Sequence, residues 1–213
     1  MEDGRLMIVL AGMIGAGKTT YTKALSEYLG TEPFYEAVEN NPILDKFYEN
    51  PKKWAFSLQI FFLNKRFKSI KKALTDDNNV LDRSIYEDAL FTKVNVEQGN
   101  IDNQNFEIYL ELLENMMDEL KGIPKKAPDL LIYLDGSFET ILAHIKKRNR
   151  DYEQWDNDPE LLEYYRLLWS KYKGWYEDYD KSPKMKIDID RYDIINNSEE
   201  VFSLIDQELA KHR

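Results

Sequence analysis

The chain has 213 residues, 29 Lys and Arg against 39 Asp and Glu, a formal net charge of −10 and no cysteine. A chain of this length buries roughly 70% of its unfolded surface without staples, and with no thiol it holds neither a disulfide framework nor a zinc–thiolate site, which points to a reducing, cytoplasmic setting. Its acidic balance argues against nucleic acid or an anionic membrane as a partner, and the sequence shows neither an apolar run of ~20 residues nor a basic leader ahead of an apolar core.

Residues 6–11 form a branched apolar run, followed by glycines and a helical pattern (Tyr21, Ala24, Leu25, Tyr28, Leu29) that stops at Gly30. Further strand candidates are residues 34–38, 80–82, 130–134 and 186–189, and the long helix candidates are residues 54–74, 103–121, 137–147, 159–178 and 198–211. Strands separated by helices pair in parallel through right-handed crossovers. The expectation is therefore an α/β fold in three layers, a five-stranded parallel sheet flanked by helices. Prolines sit at element edges and no linker or repeat interrupts the chain, so residues 1–213 read as a single domain.

Residues 12–19, Gly-Met-Ile-Gly-Ala-Gly-Lys-Thr, match G-x-x-x-x-G-K-[ST] between the first strand and the first helix. Gly12, Gly15, Ala16 and Gly17 let backbone N–H groups turn inward on a polyphosphate, and the helix that opens at Lys18, Thr19 and Thr20 adds its positive end. Lys18 reaches the outer phosphates and the Thr19 hydroxyl can ligate Mg²⁺. A glycine turn that only caps a helix is the plain alternative. The motif names a nucleotide, not a reaction. A guanine switch would want N-K-x-D, whereas Asn64-Lys65 runs on into Arg66-Phe67; a motor would want partner surfaces that this acidic chain does not display. A kinase of a small acceptor remains.

On the acceptor side, Glu36 in the second strand candidate is placed to take a proton from an attacking hydroxyl. Asp82 and Arg83 end a strand, where an acid faces the ligand crevice and can hold Mg²⁺, and Ser84 to Glu87 reads as a capping box. Gln59 and Arg66, seven residues apart, share a stripe of a helix otherwise rich in aromatics, and with Asp88 they offer the donors and acceptors that read a base edge. Solvent exposure of that stripe is the plain alternative. The basic island from His144 to Arg150 either complements a helix dipole or forms a lid over transferring phosphates.

Together these segments resemble the deoxyribonucleoside kinase family, most closely the bacterial deoxyadenosine/deoxyguanosine kinases of lactobacilli. The resemblance covers essentially the whole chain and rests on the phosphate loop, residues 34–42, Phe47-Tyr48-Glu49-Asn50-Pro51 leading to Gln59, residues 82–88 and the basic island. It implies a P-loop kinase fold and ATP-dependent phosphorylation of a deoxynucleoside 5′-hydroxyl with Mg²⁺, deoxyadenosine first and deoxyguanosine or deoxycytidine next. By position, Glu36 is implied as general base with Arg83 its partner, and Gln59, Arg66 and Asp88 as the base readers. Tyr48 and Glu153 fall where the sugar 3′-hydroxyl is gripped, Phe62 and Phe91 as pocket walls, and Arg148 and Arg150 as lid arginines within residues 144–157. Asn149 stands where glycine is common, and His144 where relatives can carry arginine. A dimer of identical or related subunits is implied as well. A nucleoside monophosphate kinase of thymidylate-kinase type and a nucleotide-binding module without turnover are the alternatives.

Overall fold

A computed structural model describes residues 6–36, 41–76, 78–119 and 127–212. Its parallel sheet has the order β2-β3-β1-β4-β5. Strand β1 (Met7–Ala11) lies at the centre, with every residue buried, because it pairs with β3 (Asn79–Asp82) on one side and β4 (Leu130–Asp135) on the other. A strand covered on both faces reads as an unbroken apolar run, and that is how β1 and β4 are written in the sequence. At the edges lie β2 (Glu32–Phe34) and β5 (Lys184–Asp188).

The helices are α1 (Lys18–Leu29), α2 (Leu44–Glu49), α3 (Pro51–Asp76), α4 (Asp88–Glu97), α5 (Asn103–Glu119), α6 (Phe138–Arg148), α7 (Pro159–Asp178) and α8 (Ser198–Ala210). Gly30 ends α1 in the left-handed conformation (φ 65°) that its missing Cβ allows. Ser137 caps α6 by accepting the Thr140 N–H, and Asp158 caps α7 by accepting that of Leu161, with Pro159 in the first turn. The core fills with β1 and β4 side chains against Leu25, Ile141, Ile145, Leu168 and Ile205.

Three expectations shift. The second strand is Glu32–Phe34 and not residues 34–38, so Glu36 lies beyond its end; residues 37–40 are outside the described residues. As an edge strand, β2 pairs with β3 alone, which tolerates the missing N–H of Pro33. The last strand begins at Lys184 and ends at Asp188, because its ladder to β4 runs from Leu131↔Lys184 to Asp135↔Asp188. The six-residue α2 was not expected; it buries only Leu44 and Phe47. The far end of the helix expected over 103–121 falls at residues outside the described set.

Candidate active site

The carboxyl ends of parallel strands open one crevice, and the loops after β1, β2 and β3 all enter it. The first is the phosphate loop. A Cβ on Gly12 (φ 149°) would stand 3.0 Å from the Leu134 carbonyl oxygen, and one on Gly15 (φ 86°) would stand 2.9 Å from the Ile141 carbonyl oxygen and 2.8 Å from Ile145 Cγ1. Only glycine fits at either position. Gly17 precedes α1 with no side-chain cap, and Gly17, Lys18 and Thr19 line the crevice, so the N-terminal end of α1 offers an anion site there.

Lys18 is 6% exposed, and its ammonium donates to the Gly12 and Met13 carbonyl oxygens at 2.6 and 2.9 Å. Burial, helped by Arg83, pulls its pKa down to about 8 against the pull of Glu87 and Asp82. The Thr19 hydroxyl donates to Asp82 Oδ2 at 2.6 Å, while Asp82 Oδ1 is buried and has no hydrogen-bond partner among the described residues. Burial pushes the Asp82 carboxyl up, and Lys18 pulls it back. A hydroxyl beside an orphaned carboxylate oxygen suits Mg²⁺, which takes one or two protein oxygens and completes its shell with phosphates and water.

Beyond the loop, carboxylates and guanidiniums alternate. Glu36 Oε1 lies 2.8 Å from Arg83 Nε and accepts from Arg66 Nη2 at 3.0 Å, and Arg66 Nε donates to Asp88 Oδ2 at 2.6 Å. Burial opposes ionisation of Glu36, yet Arg83, Arg66 and Lys18 together hold its carboxyl down at about 2. Burial pushes the Asp88 carboxyl up to about 6, although Arg66 pulls against it. The Arg83 backbone has φ 111°, a region that costs a non-glycine residue on the order of 1–3 kcal/mol. Its guanidinium sits 4.5 Å from the centre of the Phe91 ring. The surrounding structure holds this strained residue where its side chain reaches Glu36.

Gln59 and Arg66 are 4% and 7% exposed, so the stripe they share faces the protein interior and not solvent. Both line a cavity of about 850 Å³, which also takes in Phe62, Phe91, Asp88 and Tyr48. That cavity runs on to the phosphate loop and to Glu36, Asp82 and Arg83. Gly12 alone among the residues expected at the site stands behind the cavity wall, its N–H bonded to Glu87 Oε1 at 2.9 Å.

Arg148 and Arg150 also line the cavity, but both pair with Glu153, at 2.5 and 3.4 Å. A carboxylate this buried (3% exposed) requires counter-charge. Glu153 ends a short 3₁₀ turn (Asp151–Glu153), and its carbonyl accepts the Tyr165 hydroxyl at 3.2 Å; Tyr48 hydrogen-bonds to the same Tyr165 and is raised well above the usual phenol range, mainly by burial. Tyr48 and Glu153 therefore meet around one tyrosine. On α6, His144 Nδ1 lies 2.9 Å from the Gly15 carbonyl oxygen. Arg150→Ala should lower kcat at least tenfold if the lid acts on the transferring group, whereas a helix-dipole role would cost about 0.3–1 kcal/mol of stability and leave kinetics intact. Melting temperature and kcat measured on one preparation separate the two.

Sequence reasoning missed several wall residues: Tyr164 on α7, and Tyr192 and Ile195 in the β5–α8 loop. It also read Glu87 only as a cap. In the structure Glu87 does accept the Ser84 N–H at 2.9 Å, but its other oxygen reaches the phosphate loop.

The family described as Deoxynucleoside kinase matches residues 8–212. The chain belongs to that family. It is 57% identical over 205 residues to a deoxyguanosine kinase of Lactobacillus johnsonii, covering 96% of this chain and 92% of that one. To a deoxyadenosine kinase of Lactobacillus acidophilus it is 47% identical, covering 96% and 97%. The solved deoxyadenosine kinase of M. mycoides with bound dCTP superposes with a TM-score of 0.81 at 31% identity, covering 95% of this chain and 100% of that one. The protein is a deoxynucleoside kinase, and the sheet with its flanking helices is the P-loop kinase fold. The monophosphate-kinase and non-catalytic alternatives are not favoured.

Proposed function

We propose that this kinase transfers the γ-phosphoryl group of ATP, with Mg²⁺, to the 5′-hydroxyl of a deoxynucleoside, deoxyadenosine first and deoxyguanosine or deoxycytidine next. One observation carries the reading: a single cavity of about 850 Å³ has the phosphate loop along one part of its wall and Glu36, Arg66, Arg83 and Asp88 along another. Such a shape seats donor and acceptor end to end, and holding them aligned is most of what phosphoryl transfer requires of a protein.

In this reading Thr19 and Asp82 would hold Mg²⁺, which would supply positive charge to the phosphates. Lys18 turns its ammonium onto those phosphates, and Glu36 accepts a hydrogen bond from the 5′-hydroxyl and finally its proton. Arg83 holds Glu36 in place; Gln59, Arg66 and Asp88 read the base between Phe62 and Phe91; Tyr48 and Glu153 hold the sugar while Arg148 and Arg150 close over the phosphates. The enzyme is proposed to be a cytoplasmic dimer with each chain a single domain; among the described residues no helix is long and apolar enough to cross a membrane.

A steady-state panel of four deoxynucleosides and their 5′-monophosphates, with ATP and Mg²⁺, tests the reading. Turnover of a deoxynucleoside is expected, and turnover of monophosphates alone would overturn it. Asp88→Ala should change the ranking of bases in kcat/KM, because a carboxylate receives the exocyclic amine of adenine or cytosine while thymine presents only oxygen on that edge. With the carboxyl at about 6, KM for deoxyadenosine should rise as pH falls through that value in the parent and stay flat in Asp88→Asn. An unchanged base profile in Asp88→Ala would remove the residue from base selection.

A further inference from the structure

We infer that Glu87 and Tyr172 form a hydrogen-bond relay through which donor binding at the phosphate loop is felt at the Arg83–Glu36 pair; the inference rests on the donor and acceptor placement proposed above. Glu87 has no exposed surface. A buried carboxylate is tolerated only when its oxygens are filled, and capping would need just one of them. Oε2 accepts the Ser84 N–H, whereas Oε1 accepts the Gly12 N–H at 2.9 Å and lies 2.8 Å from the Tyr172 hydroxyl. That hydroxyl also lies 2.9 Å from the Gly12 carbonyl oxygen and accepts from Arg83 Nη1 at 3.3 Å. Gly12 of the phosphate loop is thus bonded at its N–H by Glu87, and its carbonyl oxygen lies within reach of the Tyr172 hydroxyl.

Tyr172 has one proton and two acceptors for it. Lys18 already donates to the Gly12 carbonyl oxygen at 2.6 Å, so the Tyr172 hydroxyl donates to Glu87 Oε1, the shorter of its two contacts. When the ammonium turns to a polyphosphate, the buried Gly12 carbonyl loses its donor and takes the Tyr172 proton in turn. Glu87 Oε1 is then short of one donor. Its nearest replacement is Arg83 Nη1, 3.6 Å away. A guanidinium drawn toward Glu87 relaxes its hold on Glu36 Oε1, now at 2.8 Å, which leaves that oxygen with Arg66 Nη2 and with room for the acceptor hydroxyl. Donor binding therefore prepares the acceptor side, and Glu87 and Tyr172 are positioning residues.

Calorimetric titration of the parent with the deoxynucleoside that the panel ranks first, with and without Mg²⁺ and the β,γ-imido analogue of ATP, measures the coupling. The analogue should tighten nucleoside binding at least ~5-fold, the lower end of typical coupling. In Tyr172→Phe, which keeps the ring and removes the hydroxyl, that gain should fall below about twofold while nucleoside affinity without the analogue stays within about twofold of the parent. Glu87→Gln should lose the same coupling and supplies the test if the first variant folds poorly. A packing role for Tyr172 would lower the melting temperature and leave the coupling ratio intact. Equal coupling in parent and variants, or none in the parent, overturns the relay. A parent that turns over no deoxynucleoside overturns the proposed function instead.

Discussion

Lys18→Ala should lower kcat by about 10²–10³-fold, the usual loss when one preorganised donor is removed from a transition state that gathers negative charge. The structure adds a control. Lys18 is buried, and burial together with Arg83 brings its pKa to about 8, so in the unliganded protein its charge is a cost and not a gain. Between pH 8 and its ordinary value of 10.5 the folded protein binds fewer protons here than the unfolded chain, and this group's contribution to stability rises with pH. Lys18→Met, which keeps the length of the side chain, should be as inactive as the alanine variant with a melting temperature no lower than the parent's. An alanine variant with normal kcat would refute the donor assignment.

Glu36→Gln should reduce kcat by roughly 10²–10⁴-fold with little change in the KM of the nucleoside, because the amide still accepts a hydrogen bond but cannot take a proton. The ion pairs favour the lower end of that range. A carboxyl held at about 2 is a weak base, and it suits a loose transition state in which the hydroxyl keeps its proton until late. Its folded pKa is depressed from 4.5, so the stability it contributes is present above 4.5 and lost as pH falls toward 2. Protonation of Glu36 therefore should not shape the kcat profile between pH 5 and 8. A variant that raised KM alone would make Glu36 a binding residue.

The fold was legible where the sequence carried strong local patterns. Strands β1 and β4 are buried on both faces and so are continuously apolar, and α6, α7 and α8 bring their own caps or periodicity. The edge strand β2 was misplaced because an apolar letter does not by itself signify burial: Tyr35 is 47% exposed. That error hid a useful fact, that Glu36 sits on the loop past the strand end, where site residues gather. Motifs made of neighbours brought Gly15 to Thr19, and Asp82, Arg83 and Asp88, to the cavity. Contacts between distant segments left no local trace. Tyr172 meets Gly12 across 160 positions and reads in sequence as one more core aromatic of α7.

Gly15 leaves no slack between the phosphate loop and α6, since even a methyl group there would strike Ile141 and Ile145. The loop and that helix therefore pack in direct contact, and Arg148 is the last residue of α6. The next residue, Asn149, holds φ 53°, a left-handed turn that asparagine adopts more readily than most side chains. The two arginines that pair with Glu153 thus stand on opposite sides of one left-handed turn: Arg148 closes α6, and Arg150 leads into the Asp151–Glu153 turn.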